Sequence, residues 1–399
     1  MKQRLSFLVL FIITGFLLFV PGAAAETDNV KTTDTSVLQE MVDTQMQSLN
    51  LDELKGFWEN IIDEYGGLLP ESQKGSLYDF ISGEKELSIK EWLMGIVKFA
   101  FQELIANGKL LGSLIMLTVL SMFLQSLQNA FESGTISKSA YAVVFMVLII
   151  IALNSFHVAI SYAMDAISTM TSFIMALIPL LLALIAASGG LISAAFFHPV
   201  ILFLINISGH FIQYIVLPLL FLSAILSIVS VLSEQYKVTQ LANLLRNGSI
   251  ALLGMFFTIF LGVISVQGAS AAVSDGIAIK TAKFITGNFI PVIGRMFTDA
   301  TDTVLSASLL LKNSVGIIGV AILLLIVAFP AVKLLIISLI YQFTAAILQP
   351  LGGGPIIKCL DIIGKSILYV FSALAIVSLM FFLSITVIIA AGNLTIMVR

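Results

Sequence analysis

The residues of this chain that could do chemistry are polar groups set inside long apolar runs. Asn154, Asn206, Gln213 and Gln342, together with Gln125, interrupt stretches of aliphatic and aromatic side chains, while Asp165 and Asp275 stand where such stretches end. A polar group against hydrocarbon is costly. Each is therefore expected either to bond to a neighbouring helix, as glue worth under about 1 kcal/mol, or to line a hydrophilic pathway. Asp165 and Asp275 form the best functional pair, because they occupy matching positions of the candidate repeat described below; loop residues at span ends are the other reading. Other chemistries lack their parts. His157, His198 and His210 have no cysteine or carboxylate at ligand spacing, so no metal site is expected. Gly364-Lys365-Ser366 looks like the end of a phosphate-binding loop, but Cys359 stands where that motif needs its first glycine. No Ser/His/Asp arrangement is visible. The chain is read as a non-enzyme with no catalytic residue and no cofactor, so any energy source must be another protein.

The elements that would position these groups are membrane helices. Of the 399 residues, 59% are hydrophobic and 11% charged, with mean hydropathy +1.07, against about 25% charged in an ordinary soluble domain. Residues 1–25 have a basic start (Lys2, Arg4), an uncharged stretch to Val20, a Pro21-Gly22 break and Ala23-Ala24-Ala25. That is the pattern of a secretory signal peptide, with Ala23 and Ala25 as cleavage-site residues. Charge then divides the chain. Residues 26–91 hold 15 acids and 5 lysines, a net of −10, whereas the remainder to Arg399 nets +5 from 13 basic and 8 acidic residues. Residues 26–87 are accordingly expected to be an acidic, helical, extracytoplasmic segment. Its clearest helix carries Leu51, Leu54, Trp58, Ile61 and Tyr65 and ends at Gly66-Gly67 and Pro70. At that size it packs on a partner or on the membrane domain.

Residues 88–108 predict a helix opened by a capping box of Ser88 and Glu91. Its wide apolar face includes Trp92, Val97, Phe101 and Ile105, which suits a helix lying on the bilayer surface; packing on the acidic segment is the other reading. Residues 109–399 form the polytopic domain. Uncharged runs at 110–130, 139–164, 166–231, 250–274, 314–332, 334–357 and 366–398 give about seven to nine crossings at about 20 residues each. Gly189-Gly190, His198-Pro199 and Ser208-Gly209 are candidate turns in the longest run. With the N-terminal segment outside, the loop at 129–138 falls inside and Asp165 outside, while the basic residues of 275–312 favour the inside. The fold class is thus an all-α polytopic membrane protein. Residues 139–167 and 249–277 align without a gap, each ending in Asp-x-Ile, and Pro179/Pro218 and Pro291/Pro330 are both 39 apart. This defines a candidate internal repeat of about 110 residues, over 139–248 and 249–365, and transporters place their pathways between such repeats. No strongly basic run exists, so no nucleic-acid partner is expected.

Phe197-His198-Pro199-Val200, the stretch Thr239-Gln240-Leu241-Ala242-Asn243-Leu244-Leu245-Arg246-Asn247, Leu351-Gly352-Gly353-Gly354-Pro355 and the signal with its acidic leader carry a resemblance that covers the whole chain. The chain resembles the stage III sporulation protein AE family of endospore-forming Firmicutes. The resemblance implies a multi-pass protein of the mother-cell membrane around the forespore, its acidic segment in the intermembrane space. It further implies membership of a transenvelope secretion or feeding channel needed for forespore development. The implied partners are other stage III sporulation membrane proteins, among them a secretion-type cytosolic ATPase and ring-forming subunits. It assigns no catalytic residue. A permease-like or channel-forming subunit is the first expectation; a non-conducting scaffold that anchors the other subunits is the alternative.

Overall fold

A computed structural model describes Thr44 and residues 51–130, 135–232, 237–289, 293–351 and 354–397; within these, side-chain surroundings are described except at 127–130, 135–138, 232, 268–289, 293–304, 351 and 391–397. The signal segment with Ala23 and Ala25, and the leader up to residue 50 save Thr44, lie outside the described residues. Those residues are almost entirely helical, with no strand among them.

Three helices build the acidic segment: α1 (Asp52–Tyr65), α2 (Leu77–Ile81) and α3 (Ile89–Ala106). In α1 the 3.6-residue period sets Leu54, Trp58 and Ile61 on one buried face, while Asp52 and Glu53 sit in the first turn, where the helix dipole favours them. The helix ends at Gly66, as its glycines predict. Ser76 caps α2 in a reciprocal box with Asp79. At α3 the expected box is absent: the Ser88 side chain makes no cap bond, and Glu91 instead accepts a hydrogen bond from Ser72 Oγ at 2.7 Å. The folded loop before α3 recruited the carboxylate. The small core closes over Trp58, which meets Phe80 at 5.0 Å and Trp92 at 6.1 Å between ring centroids and donates from Nε1 to Gly75 O at 2.8 Å.

Gln73, 3% exposed, ties this core together. Its Oε1 accepts from Ser88 N and from Trp92 Nε1, both at 3.0 Å, and its Nε2 donates to Glu86 O at 3.2 Å. Gln73→Leu is expected to destabilise the segment by about 1–3 kcal/mol for each buried donor it orphans. Thermal unfolding followed by tryptophan emission reads the loss.

Beyond α3 the chain forms α4 (Gly108–Ala130), α5 (Thr135–Ala187), α6 (Leu191–Phe211), a π turn (Ile212–Val216), α7 (Leu217–Leu232), α8 (Thr239–Phe289), α9 (Ile293–Leu348) and α10 (Pro355–Met397). Among the described residues, six helices are long and apolar enough to cross a membrane: Gly108–Ser126, Ser139–Ala187, Leu191–Val231, Thr239–Gln267, Leu305–Leu348 and Pro355–Ala390. Seven to nine crossings were expected; the runs that gave the higher number merge here into longer helices. Asp165 and Lys333, read as breaks between spans, lie inside α5 and α9. A helix satisfies its own backbone, so one charged side chain does not end it where no glycine or proline follows. Gly189-Gly190 does form the α5–α6 turn, with Gly189 at φ 92°. His198-Pro199 and Ser208-Gly209 stay helical within α6.

α9 runs antiparallel to both α5 and α10, which therefore run parallel to each other, and the contacts divide the bundle into two storeys. In the near storey α4 ends beside the α9–α10 connection, where a Cβ on Gly354 would stand 3.1 Å from Gln125 Oε1. There Tyr341 Oη donates to Ser155 Oγ at 2.8 Å and Ser338 Oγ to Gly364 O at 2.7 Å. In the far storey α9 crosses α5 and α10 so closely that a Cβ on Gly319 would lie 2.6 Å from Leu177, and one on Gly316 2.4 Å from Ile389. The acidic segment docks at the waist between the storeys. Phe57 packs edge-on to Phe173 of α5 at 5.4 Å, and Tyr65 stacks on Phe329 of α9 at 3.5 Å. Lys333 lies over the rings of Phe99 and Tyr162 at 5.9 and 4.9 Å. Burial, then the neighbouring Glu64, hold the Tyr65 hydroxyl well above its ordinary range of ionisation.

Candidate functional site

One face of α5 changes character at mid-helix. At its start Val143, Met146, Val147 and Ile150 are exposed. One to two turns on, the same face carries Asn154, His157, Ser161, Asp165, Ser168 and Ser172, all exposed except the half-buried Ser161. Their spacing of three and four residues keeps them within an arc of about 80° at 100° per residue. The opposite face, with Ala152, Phe156, Ala159, Ala163, Ile167, Met170 and Ile174, is buried.

A second polar patch, on α6, stands beside the upper part of this strip. Asn206, His210 and Tyr214 are exposed, and His210 Nδ1 lies 2.9 Å from Asn206 O. The two helices touch through Gly209, where a Cβ would come within 2.6 Å of Thr171 Oγ1. The residue read as a turn glycine is therefore there for close approach. The π turn that follows rotates Gln213 toward α5, and its Nε2 donates to Met164 O at 3.0 Å. π turns recur at functional sites. Between the helices opens a groove of about 510 Å³, lined by Ser168, Thr171, Ser172, Asn206, His210 and Gln213, with Glu53 of α1 at its rim.

The sequence-predicted residues thus separate. Asp165, Asn154 and Asn206 are exposed on the strip and patch, so Asn154 and Asn206 are not the interhelical glue that was the first expectation for them. Gln213 is glue and also lines the groove. Gln342 donates along its own helix to Ser338 Oγ at 2.8 Å, against Gly364, and belongs to packing. Asp275 lies on α8, its side chain outside the described residues. Among the described residues no group of three or more His, Cys, Asp or Glu is placed to hold a metal.

A charged seam in the near storey escaped the sequence reading. Arg246 of α8 donates to Asn243 Oδ1 at 2.7 Å and lies 5.6 Å over the ring of Tyr369 on α10. One turn from there, Lys365 pairs with Asp361. Ionisable groups in membrane helices mark pathways or partners more often than lipid contacts. The available signal was Arg246 inside the polar stretch 239–247, and Lys365 once its phosphate-loop reading falls. In the far storey Lys312, with 0% exposure, donates to Ile389 O at 3.0 Å and fastens α9 to α10.

A family described as Stage III sporulation protein AE (spore_III_AE) matches residues 72–392. Stage III sporulation protein AE of Bacillus subtilis (strain 168) is 64% identical over 397 residues, covering 100% of this chain and 99% of the relative. No solved structure matches the chain.

Proposed function

The chain belongs to the stage III sporulation protein AE family, and on that premise we propose that this sporulation membrane protein supplies part of the wall of an aqueous passage through the mother-cell membrane. The observation that carries the reading is the strip of α5. Asn154 and His157 project outward from a helix apolar enough to span a bilayer, where a lipid-facing wall would be apolar, and Asp165 and Ser168 continue the strip at the level of the acidic segment. The groove with Asn206, His210 and Gln213 widens the strip on the side of the acidic segment, and the Arg246–Lys365 seam supplies polar surface toward the opposite end. A passage between this chain and its partners needs polar surface at both ends.

The same reading takes residues 1–25 as a cleaved signal, the acidic segment as standing in the intermembrane space, and the 139–248 and 249–365 units as a duplication in which Asp275 answers Asp165. Its partners are the other stage III sporulation membrane proteins, with a separate ATPase as the motor. The experiment is Asp165→Asn in a sporulating strain that keeps the protein and its partners at normal membrane levels. Reduced spore yield is expected. Full yield, with Asp275→Asn equally silent, would favour the anchoring scaffold.

A further inference from the structure

The helices of the membrane domain are too long for the membrane. Ser139–Ala187 and Leu305–Leu348 run unbroken for 49 and 44 residues, about 73 and 66 Å at 1.5 Å per residue. A hydrocarbon core is about 30 Å thick, and tilting does not absorb a factor of two. Only one storey fits in lipid. Gly108–Ser126, at 19 residues or about 28 Å, crosses one storey and stops. From the end where α4 meets the α9–α10 connection, the acidic segment docks on α9 at Phe329, 19 residues up from Leu348, again about 28 Å.

At that level lies α3, with two unlike faces. Trp92, Gly95 and Phe99 are buried against the acidic core and α9. The other side exposes Leu93, Met94, Val97, Phe101 and Ile105, at 49 to 78%. Lys90 and Lys98 share this exposed side. The two acids of the helix are half-buried and engaged: Glu91 accepts from Ser72 at the surface and Glu103 accepts from Asn107 Nδ2 at 2.8 Å. Broad apolar surface, two exposed lysines and no fully exposed acid is what a bilayer surface with anionic headgroups selects, the apolar side chains entering the acyl boundary and the lysines reaching phosphate. A protein groove would pair those lysines with acids. The helix also runs directly, through Asn107, into the first span.

We infer that α3 is an interfacial anchor for anionic lipid and that it marks the level at which the bundle leaves the bilayer. The near storey, from the C-terminal ends of α4, α7 and α9 up to Tyr162 and Phe329, lies in lipid. The far storey, with α5 from Ala166 to Ala187, α6 and the ends of α8 to α10, stands outside on the side of the acidic segment. This departs from charge counting, which draws the basic residues of 275–312 inward. The far storey also keeps apolar side chains outside, among them Phe196, Phe203 and Ile317, so labels and not hydropathy must decide.

Two measurements on the full chain, with the buried Cys359 changed to serine, test this. In the first, single cysteines replace Leu191 at the α5–α6 turn and Glu71 in the acidic segment, and an impermeant thiol reagent is applied to one side of sealed membranes. Both are expected to react from the same side; reaction from opposite sides overturns the inference. In the second, Phe101→Cys carries an environment-sensitive dye in phosphatidylcholine vesicles with and without phosphatidylglycerol. Blue-shifted emission, quenched more by headgroup-level than by deep spin-labelled lipid and strengthened by phosphatidylglycerol, is expected. The phosphatidylglycerol effect is lost in Lys90→Gln/Lys98→Gln. Emission of a water-exposed dye, unmoved by either quencher, overturns the anchor; an unchanged lipid preference in the double variant overturns the headgroup assignment.

Discussion

Trp58→Ala is expected to release the acidic segment from the bundle while leaving the membrane helices in place. Trp58 is 1% exposed and joins all three helices of the segment, through Phe80 on α2, Trp92 on α3 and the hydrogen bond to Gly75 O. Removing a buried tryptophan costs about 3–5 kcal/mol. A unit of this size has about 0.05–0.15 kcal/mol per residue in total, so one substitution removes most of what it has. Tyr65 and Phe57, which dock on Phe329 and Phe173, then lose the frame that aims them. Limited proteolysis of the membrane-embedded protein should cut rapidly within residues 52–86 of the variant and leave the spans intact. Trp58→Phe, which keeps one aromatic ring but loses the indole N–H and part of the buried volume, should cost less than Trp58→Ala and stay protected. Equal protection of Trp58→Ala and the unchanged protein would mean that the segment is held by something other than this core.

Leucine at Asn154, Asp165 and Asn206 together is expected to stop sporulation without lowering the amount of protein in the membrane. The direction separates the two accounts of these residues. If Asn154 faces lipid and Asp165 and Asn206 merely face bulk water, leucine costs nothing at the first and little at the other two, and the variant should stay active. If they face water in a passage, apolar side chains on the strip and on the patch beside it narrow and dry it, and hydrophobic constrictions close pores by dewetting. None of the three bonds a neighbouring helix through a side-chain contact that packing needs; each is exposed. Loss of spores therefore does not follow from misfolding. The single variants should each give part of the loss, with Asp165→Leu the most severe because it removes a charge.

The legible parts of the fold were those governed by periodicity and by glycine. Leu51, Leu54, Trp58 and Ile61 repeat at helical spacing and are all buried; Gly66 ends α1, and Gly189 takes the left-handed conformation the α5–α6 turn requires. The illegible parts were those where an ordinarily diagnostic residue is used differently in three dimensions. Asp165 suggested a loop, but nothing near it breaks a helix, and its exposure on α5 absorbs the charge. Lys333 suggested a boundary, but the faces of Phe99 and Tyr162 receive its ammonium. Gly209 suggested a turn, but it permits contact with Thr171. Glu91 suggested a capping box, but Ser72, 19 residues away, claims it.

The same lesson holds for the site. Asp165, Asn154, Asn206 and Gln213 could be nominated because polar groups are conspicuous in apolar sequence, yet their division into strip, groove and glue depends on rotation about the helix axis and on the π turn at Ile212–Val216. Arg246 and Lys365 were passed over because their role needs Tyr369 and Asp361 brought close.

Asn154 tests the aqueous passage most directly. It lies 11 residues before Asp165, about 16 Å deeper into the storey placed in lipid. In membranes from sporulating cells, with Cys359→Ser as background, cysteine at Asn154 should react with a small, water-soluble, membrane-impermeant thiol reagent. Cysteine at Met116, 74% exposed on α4 and set against lipid in this arrangement, should not. Both positions inert until detergent is added would contradict the passage.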